Sequence, residues 1–320
     1  MHPILFHIGH YAVHSYGVLI MLGVLLATRY AMRLCDYRMR VCPIGSPRRI
    51  HPDVIFDVAF FGVIFSIIGA RLVFVLLDWG DYAAHPLDIF RIWMGGLSIH
   101  GAMLFAIFTL LWICRSRKLS FYAVADIGAT AWPLGYAIGR IGCLLNGCCY
   151  GAPTSLPWGV RFPDEDHPGQ LTPPSHPIQL YATIINLGFF WWLTRWQKRP
   201  RRDGELFWAY IAMYGAYRFA VEFLRAGATS TYRIPSLHIT DTHIVSILMV
   251  LIGLWGVFAL RRRRPAYSDT ELPPDLATVP SPEGFPQESD GADLKEPVAT
   301  ASQSETSPPL VKPSVKEKPS

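Results

Sequence analysis

Charge is what this sequence has least of. Asp, Glu, Lys and Arg together make up 17% of the 320 residues, against a hydrophobic share of 51%. The shortage is concentrated: residues 16–28, 58–70, 92–114, 178–194 and 244–260 contain none of the four. Soluble domains carry about a quarter charged residues, so this composition excludes an ordinary water-soluble enzyme. Most of the uncharged runs need only a flanking residue or two to approach the roughly 20 residues of a membrane-spanning helix. Two further apolar segments complete the set with a few charges each, 119–139 with Asp126 and 206–224 with Arg218 and Glu222.

Other absences narrow the reading. The first residues, MHPILFHIGHY, hold no Lys or Arg, so they lack the basic n-region of a secretory signal and are expected to remain uncleaved. The six cysteines include no C-x-x-C pair, which speaks against a structural zinc or thioredoxin-like motif. No internal repeat of the kind that builds transporters is visible.

What is present is a strong asymmetry of basic residues. Eighteen Lys and Arg fall in one set of alternate connections (29–49, 115–118, 195–202 and 261–264) and five in the other (Arg91, Arg140, Arg161, Arg225, Arg233). Basic residues near helix ends stay cytoplasmic. The expectation is an all-α membrane protein of about seven transmembrane helices, N-terminus outside and C-terminus cytoplasmic. The formal net charge of +5 is then explained by topology, and no nucleic-acid partner is called for. Residues 1–264 form the membrane domain on this reading. Residues 265–320, rich in Pro, Ser, Glu and Asp, are expected to be a disordered cytoplasmic tail. Cys35, Cys42 and Cys114 fall on the reducing side and Cys143, Cys148 and Cys149 on the outer side, where oxidation is possible.

Ionisable groups at membrane depth are costly and therefore point to sites. His100, in GGLSIHGAM, sits in an uncharged span, flanked by Gly95, Gly96 and Gly101, which permit close backbone approach or a broken helix; a histidine hydrogen-bonded between helices is the bland alternative. In YGAYRFAVEFLR, Tyr214, Arg218, Glu222 and Arg225 share one helical face. An internal ion-pair ladder would neutralise part of it, yet two arginines against one carboxylate leave a cation suited to a lipid phosphate. In GYAIGRIGCLLNGCCYG, Arg140 lies among five glycines and Asn146, either as an anion cradle or as a re-entrant turn. Cys143, Cys148 and Cys149 with His176 also admit a metal site or redox exchange. Tyr16 opens the first span as an interface anchor or a site residue; His176, Gln179 and Tyr181 cap the fifth span or line a site. Arg71 and Asp126, charges in separate spans, are taken as structural and as possible partners of one another.

Taken in order, HSYG, GGLSIHG, GRIGCLLNG, HPIQLY and YGAYRFAVEFLR resemble the prolipoprotein diacylglyceryl transferase family over about Tyr11 to Leu260. The resemblance implies a multi-pass protein of the bacterial inner membrane, active in lipoprotein biosynthesis and needing no metal or organic cofactor. It would move the diacylglyceryl group of phosphatidylglycerol to the lipobox cysteine of preprolipoprotein signal peptides. A thioether would form and glycerol 1-phosphate would leave. On that likeness Arg140 binds the headgroup, Arg218 assists at the phosphate, and His100 is the general base. Tyr16, Tyr214, Asn146, Glu222 and Arg225 match other site positions. Cys143 stands where the family pattern has Asn, Cys148 where it has Glu, and Ala182 where HPSQLYE ends in Glu. The competing readings are a lipid-binding or lipid-transporting protein without catalysis, and a membrane thiol oxidoreductase using Cys148 and Cys149.

Overall fold

A computed structural model describes residues 3–8, 11–91, 95–164, 169–225 and 239–274. The chain is mostly helical. A short antiparallel hairpin, β1 (Ile4–Ile8) and β2 (Tyr11–His14), leads into α1 (Ser15–Val41), α2 (Pro52–Leu77), the short α3 (Trp79–Ala84), a 3-10 turn (Pro86–Phe90), α4 (Ile99–Ser116), α5 (Phe121–Asn146), α6 (Ile178–Trp196), α7 (Glu205–Arg225) and α8 (Asp241–Arg263). Each of the seven apolar segments read from the sequence is thus the heart of one long helix. Four of these, α1, α2, α4 and α8, are long and apolar enough to cross a membrane by length and composition. Their outward faces are crowded with exposed Leu, Ile, Phe and Trp, among them Met21, Leu25, Leu104, Phe108, Leu254 and Trp255. Such surfaces are stable in hydrocarbon and not in water.

The third apolar run is interrupted. Among the described residues of the expected span 92–114, helix begins at Ile99, because Gly95 and Gly96 take φ values of 89° and 72°, a left-handed backbone that ends any approach to a helix. The Arg71 side chain holds this turn, with Nη1 donating to the carbonyls of Gly95 and Gly96 at 3.0 Å and Nε to Ile89 at 2.9 Å. Arg71 therefore does not pair with Asp126, as its sequence position had allowed. Asp126 instead caps α7: its carboxylate accepts from the backbone N–H groups of Gly204 and Phe207, both at 2.9 Å. A carboxylate at a helix N-terminus satisfies orphan donors and meets the positive end of the dipole.

Small residues set how the helices meet. A Cβ on Gly23 of α1 would lie 2.8 Å from the carbonyl oxygen of Gly135, and one on Gly142 would lie 3.4 Å from Tyr16 Cα. Thus α1 and α5 run antiparallel in close backbone contact, Tyr16 beside the end of α5. Gly101 of α4 abuts the Gly69 carbonyl of α2 in the same manner, and Gly215 and Gly253 close α7 on α8. Helices in lipid gain little from burying apolar surface, so close packing through small residues carries the association. α5 lies innermost, with twelve buried residues from Ala123 to Cys143. Pro133 sits within it and removes one intrahelical hydrogen bond.

Polar groups gather at both ends of the bundle. At the end where α1, α4, α6 and α8 finish, Arg38, Arg48 and Arg201 are each at most 1% exposed. Arg48 donates to Asp203 Oδ1 at 2.6 Å, to Asp269 Oδ1 at 3.1 Å and to the carbonyls of Tyr267 and Arg201 at 2.9 and 2.6 Å. Its guanidinium also lies 3.7 Å from the centroid of the Tyr267 ring, whose hydroxyl donates to Asp203 Oδ2 at 2.5 Å. Tyr267 is 6% exposed. The segment just after α8, assigned to the tail by composition, is therefore packed onto the helices, because Tyr267 and Asp269 compensate buried arginines that the helices alone leave charged. The rest of the expected tail, from 275 onward, lies outside the described residues.

Candidate active site

The opposite end of the bundle gathers most of the residues that the sequence singled out. The first arginine, Arg140, comes from the last two turns of α5. Its Nη2 donates to Tyr136 Oη at 2.5 Å, and the guanidinium carbon stands 4.9 Å from the Tyr136 ring centroid. Tyr136 also meets Tyr214 and Tyr217 of α7, with ring centroids 5.9 and 6.4 Å apart in edge-to-face geometry. Aromatic edges and faces pair favourably in this way, and here they seat α5 on α7.

The second arginine, Arg218, lies one turn beyond Tyr214. Its Nη1 is 2.7 Å from Glu222 Oε2. Glu222 is fully buried, and its Oε1 accepts from Thr240 Oγ1 at 3.1 Å. Thr240 in turn forms a reciprocal capping box with His243 at the start of α8. Glu222 thus links Arg218 to the head of α8. Tyr214 is within electrostatic reach of both Arg140 and Arg218, so the two cations share that tyrosine. The hydroxyl of Tyr210, one turn further into α7, is buried with no hydrogen-bond partner among the described residues.

Past Gly147, whose φ of 81° ends α5, the chain turns back on itself. Cys148 N donates to the Cys143 carbonyl at 3.1 Å, and the Cys148 carbonyl accepts from Gln179 Nε2 of α6 at 2.6 Å. Ala152 N donates to the Leu224 carbonyl at 2.8 Å, which ties the turn to the end of α7 beside Arg225. The result brings the Sγ atoms of Cys143, Cys148 and Cys149 within 4.8 Å of one another. All three are free thiols. Hydrogen bonds from the Cys143 and Cys148 thiols, with the charges of Arg140 and Arg225, hold the Cys149 thiol below its ordinary value. Tyr16, 41% exposed at the start of α1, is within electrostatic reach of the three thiols and Arg140. Asn146 is half-buried in the last turn of α5 and interacts with Cys148.

Not every expected residue joins. His100 is exposed on the first turn of α4, a helix packed along α2, and its side chain makes no hydrogen bond or ion pair with another described residue. His176, considered with the cysteines, lies outside their cluster. Its Nδ1 is 3.4 Å from Tyr181 Oη, which accepts from Trp158 Nε1 at 2.7 Å. Tyr136 was missed, although the four-residue spacing that links Tyr214 to Arg218 also links it to Arg140.

Comparison with known proteins accords with this arrangement. The family model described as prolipoprotein diacylglyceryl transferase matches residues 3–259. A phosphatidylglycerol–prolipoprotein diacylglyceryl transferase of Synechocystis sp. is 34% identical, over 84% of this chain and 94% of the relative. Proteins of the same name from Geobacter sulfurreducens and Nitrosomonas europaea are 33% and 36% identical, covering 82% and 79% of this chain and 96% and 87% of their own lengths. A match across the two arginine-bearing helices and nearly the whole bundle leaves one conclusion: the chain belongs to the prolipoprotein diacylglyceryl transferase family.

Proposed function

We infer that this protein transfers the diacylglyceryl group of phosphatidylglycerol to the cysteine of a prolipoprotein. The observation that carries the reading is the pair of Tyr-x-x-x-Arg turns, Tyr136 with Arg140 and Tyr214 with Arg218, brought face to face at one end of the bundle in a chain of this family. Two guanidinium groups offer planar forks matched to phosphate oxygens. In a site screened from water they stabilise the charge that develops as a phosphate leaves far more than they would in bulk solvent.

The step is a substitution at the glyceryl carbon. The substrate thiol loses its proton, its sulfur bonds to that carbon, and the carbon–oxygen bond to phosphate breaks, releasing glycerol 1-phosphate and leaving a thioether. A thiol with an ordinary value near 8.5 is mostly protonated at neutral pH, so a base is required. His100 is the base on this reading, supported by the family resemblance and by its exposed place on the first turn of α4, as Tyr16 is on the first turn of α1. Arg140 holds the headgroup and Arg218, fixed by Glu222, stabilises the leaving phosphate. Tyr214 backs both, while Tyr16, Asn146 and Arg225 line the site.

All seven long helices span the membrane on this account. Even the shortest, α4 at 18 residues, extends about 27 Å at about 1.5 Å per residue, close to the hydrocarbon thickness. The N-terminus faces outward and the C-terminus the cytoplasm of a bacterial inner membrane, as the basic connections argue. The arginine pair then meets lipid headgroups and exported lipobox signal peptides at the outer leaflet. In cells depleted of their own transferase, this chain should restore the mobility shift of a lipoprotein precursor, while Arg140→Ala and His100→Ala should not. An unshifted precursor with well-expressed wild-type protein would overturn the assignment; a shift restored by His100→Ala would remove the histidine from the mechanism.

A further inference from the structure

The three outer thiols form a built feature that the arginine pair does not explain. Cys143 lies on the last turn of α5, three residues beyond Arg140. Cys148 and Cys149 return to it because Gly147 ends the helix in a left-handed turn and because Cys149 itself has φ 63°, a conformation that residues with a Cβ seldom adopt and that surrounding structure must hold in place. The turn is held on both sides, by Gln179 of α6 at the Cys148 carbonyl and by the Leu224 carbonyl of α7 at Ala152.

Three sulfurs within 4.8 Å of one another suit one ion. Tetrahedral zinc with zinc–sulfur bonds of about 2.3 Å sets sulfurs about 3.8 Å apart, so closure asks for a movement of about 1 Å at most, in a half-buried turn against the buried Cys143. A disulfide fits less well, since its sulfurs must close to about 2.05 Å and the adjacent Cys148 and Cys149 form only a strained bridge. Charge agrees as well. Three thiolates around a divalent cation carry a net charge of −1, and the cluster sits under Arg140 and Arg225, which favour an anionic assembly.

We propose that Cys143, Cys148 and Cys149 bind a thiophilic divalent cation, zinc by its chemistry, with the fourth coordination position left for the substrate cysteine. This deepens the transferase reading and rests on it. Three protein ligands and one open position are the arrangement of catalytic rather than structural zinc, and a thiol that coordinates the ion is deprotonated. The S–H proton of the incoming cysteine passes to His100 or to water. The metal-bound thiolate then forms the sulfur–carbon bond with the glyceryl carbon as the carbon–oxygen bond to phosphate breaks, and the resulting neutral thioether, a weak ligand, leaves the ion. No electron is gained or lost by the metal.

The test begins with the reduced full-length protein in detergent, free of lipid substrate, titrated with cobalt(II) as a spectroscopic stand-in and then with zinc. One equivalent of cobalt should give thiolate-to-metal charge transfer and tetrahedral ligand-field bands, which zinc abolishes. Cys143→Ser, Cys148→Ser and Cys149→Ser should each weaken binding by at least the roughly tenfold to hundredfold that loss of even an outer partner of a metal ligand costs. Cys35→Ser, at the other end of the bundle, should leave binding unchanged. A short lipobox peptide should shift the cobalt bands, and its Cys-to-Ser analogue should not. Absence of cobalt and zinc binding, bands that persist in the triple serine variant, or a disulfide in the protein as isolated would each overturn the site. Full transfer from phosphatidylglycerol after chelator treatment would overturn the thiol-activating role while leaving the transferase reading intact. Metal binding without any lipid transfer would sink the transferase reading, and with it the role of the fourth position.

Discussion

Arg218 Nη1 stands 2.7 Å from Glu222 Oε2 one turn along α7, and the other oxygen of that carboxylate accepts the hydroxyl of Thr240 at the head of α8 at 3.1 Å. The pair therefore fixes an arginine of the site and joins two helices in one arrangement. Truncating Arg218 to Ala removes an ion-pair partner from a fully buried carboxylate, and breaking a buried pair costs about 3 to 5 kcal/mol. We expect Arg218→Ala to lower thermal stability markedly, and Arg218→Ala combined with Glu222→Gln to recover most of that stability without recovering transfer. A double-mutant cycle on melting temperature and activity measures both.

Arg140→Lys keeps the charge but loses the planar fork and the bond to Tyr136. Transfer should fall on the order of a hundredfold, with little loss of stability. Tyr136→Phe removes one hydrogen bond, and the effect should be smaller, roughly tenfold or less. Initial rates at several phosphatidylglycerol contents in mixed micelles decide this. An Arg140→Lys variant at wild-type rate would mean that charge alone suffices.

The Asp126 carboxylate holds two backbone N–H groups at the start of α7. Asp126→Ala strands both in a buried setting and should destabilise by about 2 to 4 kcal/mol. Asp126→Asn keeps the acceptor on one side and should cost roughly half of that. Denaturation in mild detergent, monitored by helical circular dichroism, is the appropriate measurement.

Two truncations separate the packed juxtamembrane segment from the residues beyond it. A chain ending at Pro274 retains Tyr267 and Asp269 and should express and transfer like the full protein. A chain ending at Arg264 loses them, exposing Arg48 and Arg201 to one another with fewer carboxylates, and should lose about 3 kcal/mol or more of stability. Equal stability of the two would show that Tyr267 and Asp269 contribute nothing.

The helices were legible in the sequence because a bilayer demands long apolar runs, and seven stand out, five of them without any charge. Less legible was what each isolated charge does. Arg71 and Asp126 were open to pairing by charge alone, yet α2 carries Arg71 near its end while α5 carries Asp126 near its start. The alternation of helix direction places these positions at opposite ends of the bundle, a signal already present in the basic connections. Tyr136 was legible too, since its spacing to Arg140 repeats that of Tyr214 to Arg218.

Other features depend on tertiary structure that no local pattern announces. The thiols of Cys143, Cys148 and Cys149 converge only because a helix end, a left-handed cysteine and the Gln179 side chain turn the chain back. Tyr267 hides in a stretch whose composition reads as disordered, because its partners, Arg48 and Asp203, lie far away in sequence. The hairpin of β1 and β2 was not expected at all, its two short strands being too brief to outweigh the apolar run of α1.

Arg140 and Arg218 gripping one phosphate is the proposition on which the rest depends, and headgroup selectivity tests it most directly. Purified protein in vesicles would be given a lipobox peptide and diacylglycerolipids differing only in headgroup. Thioether formation should require phosphatidylglycerol, with glycerol 1-phosphate released in equal amount, and should vanish in both Arg140→Ala and Arg218→Ala. Transfer from a lipid that lacks phosphate, or undiminished transfer by either variant, would contradict the account.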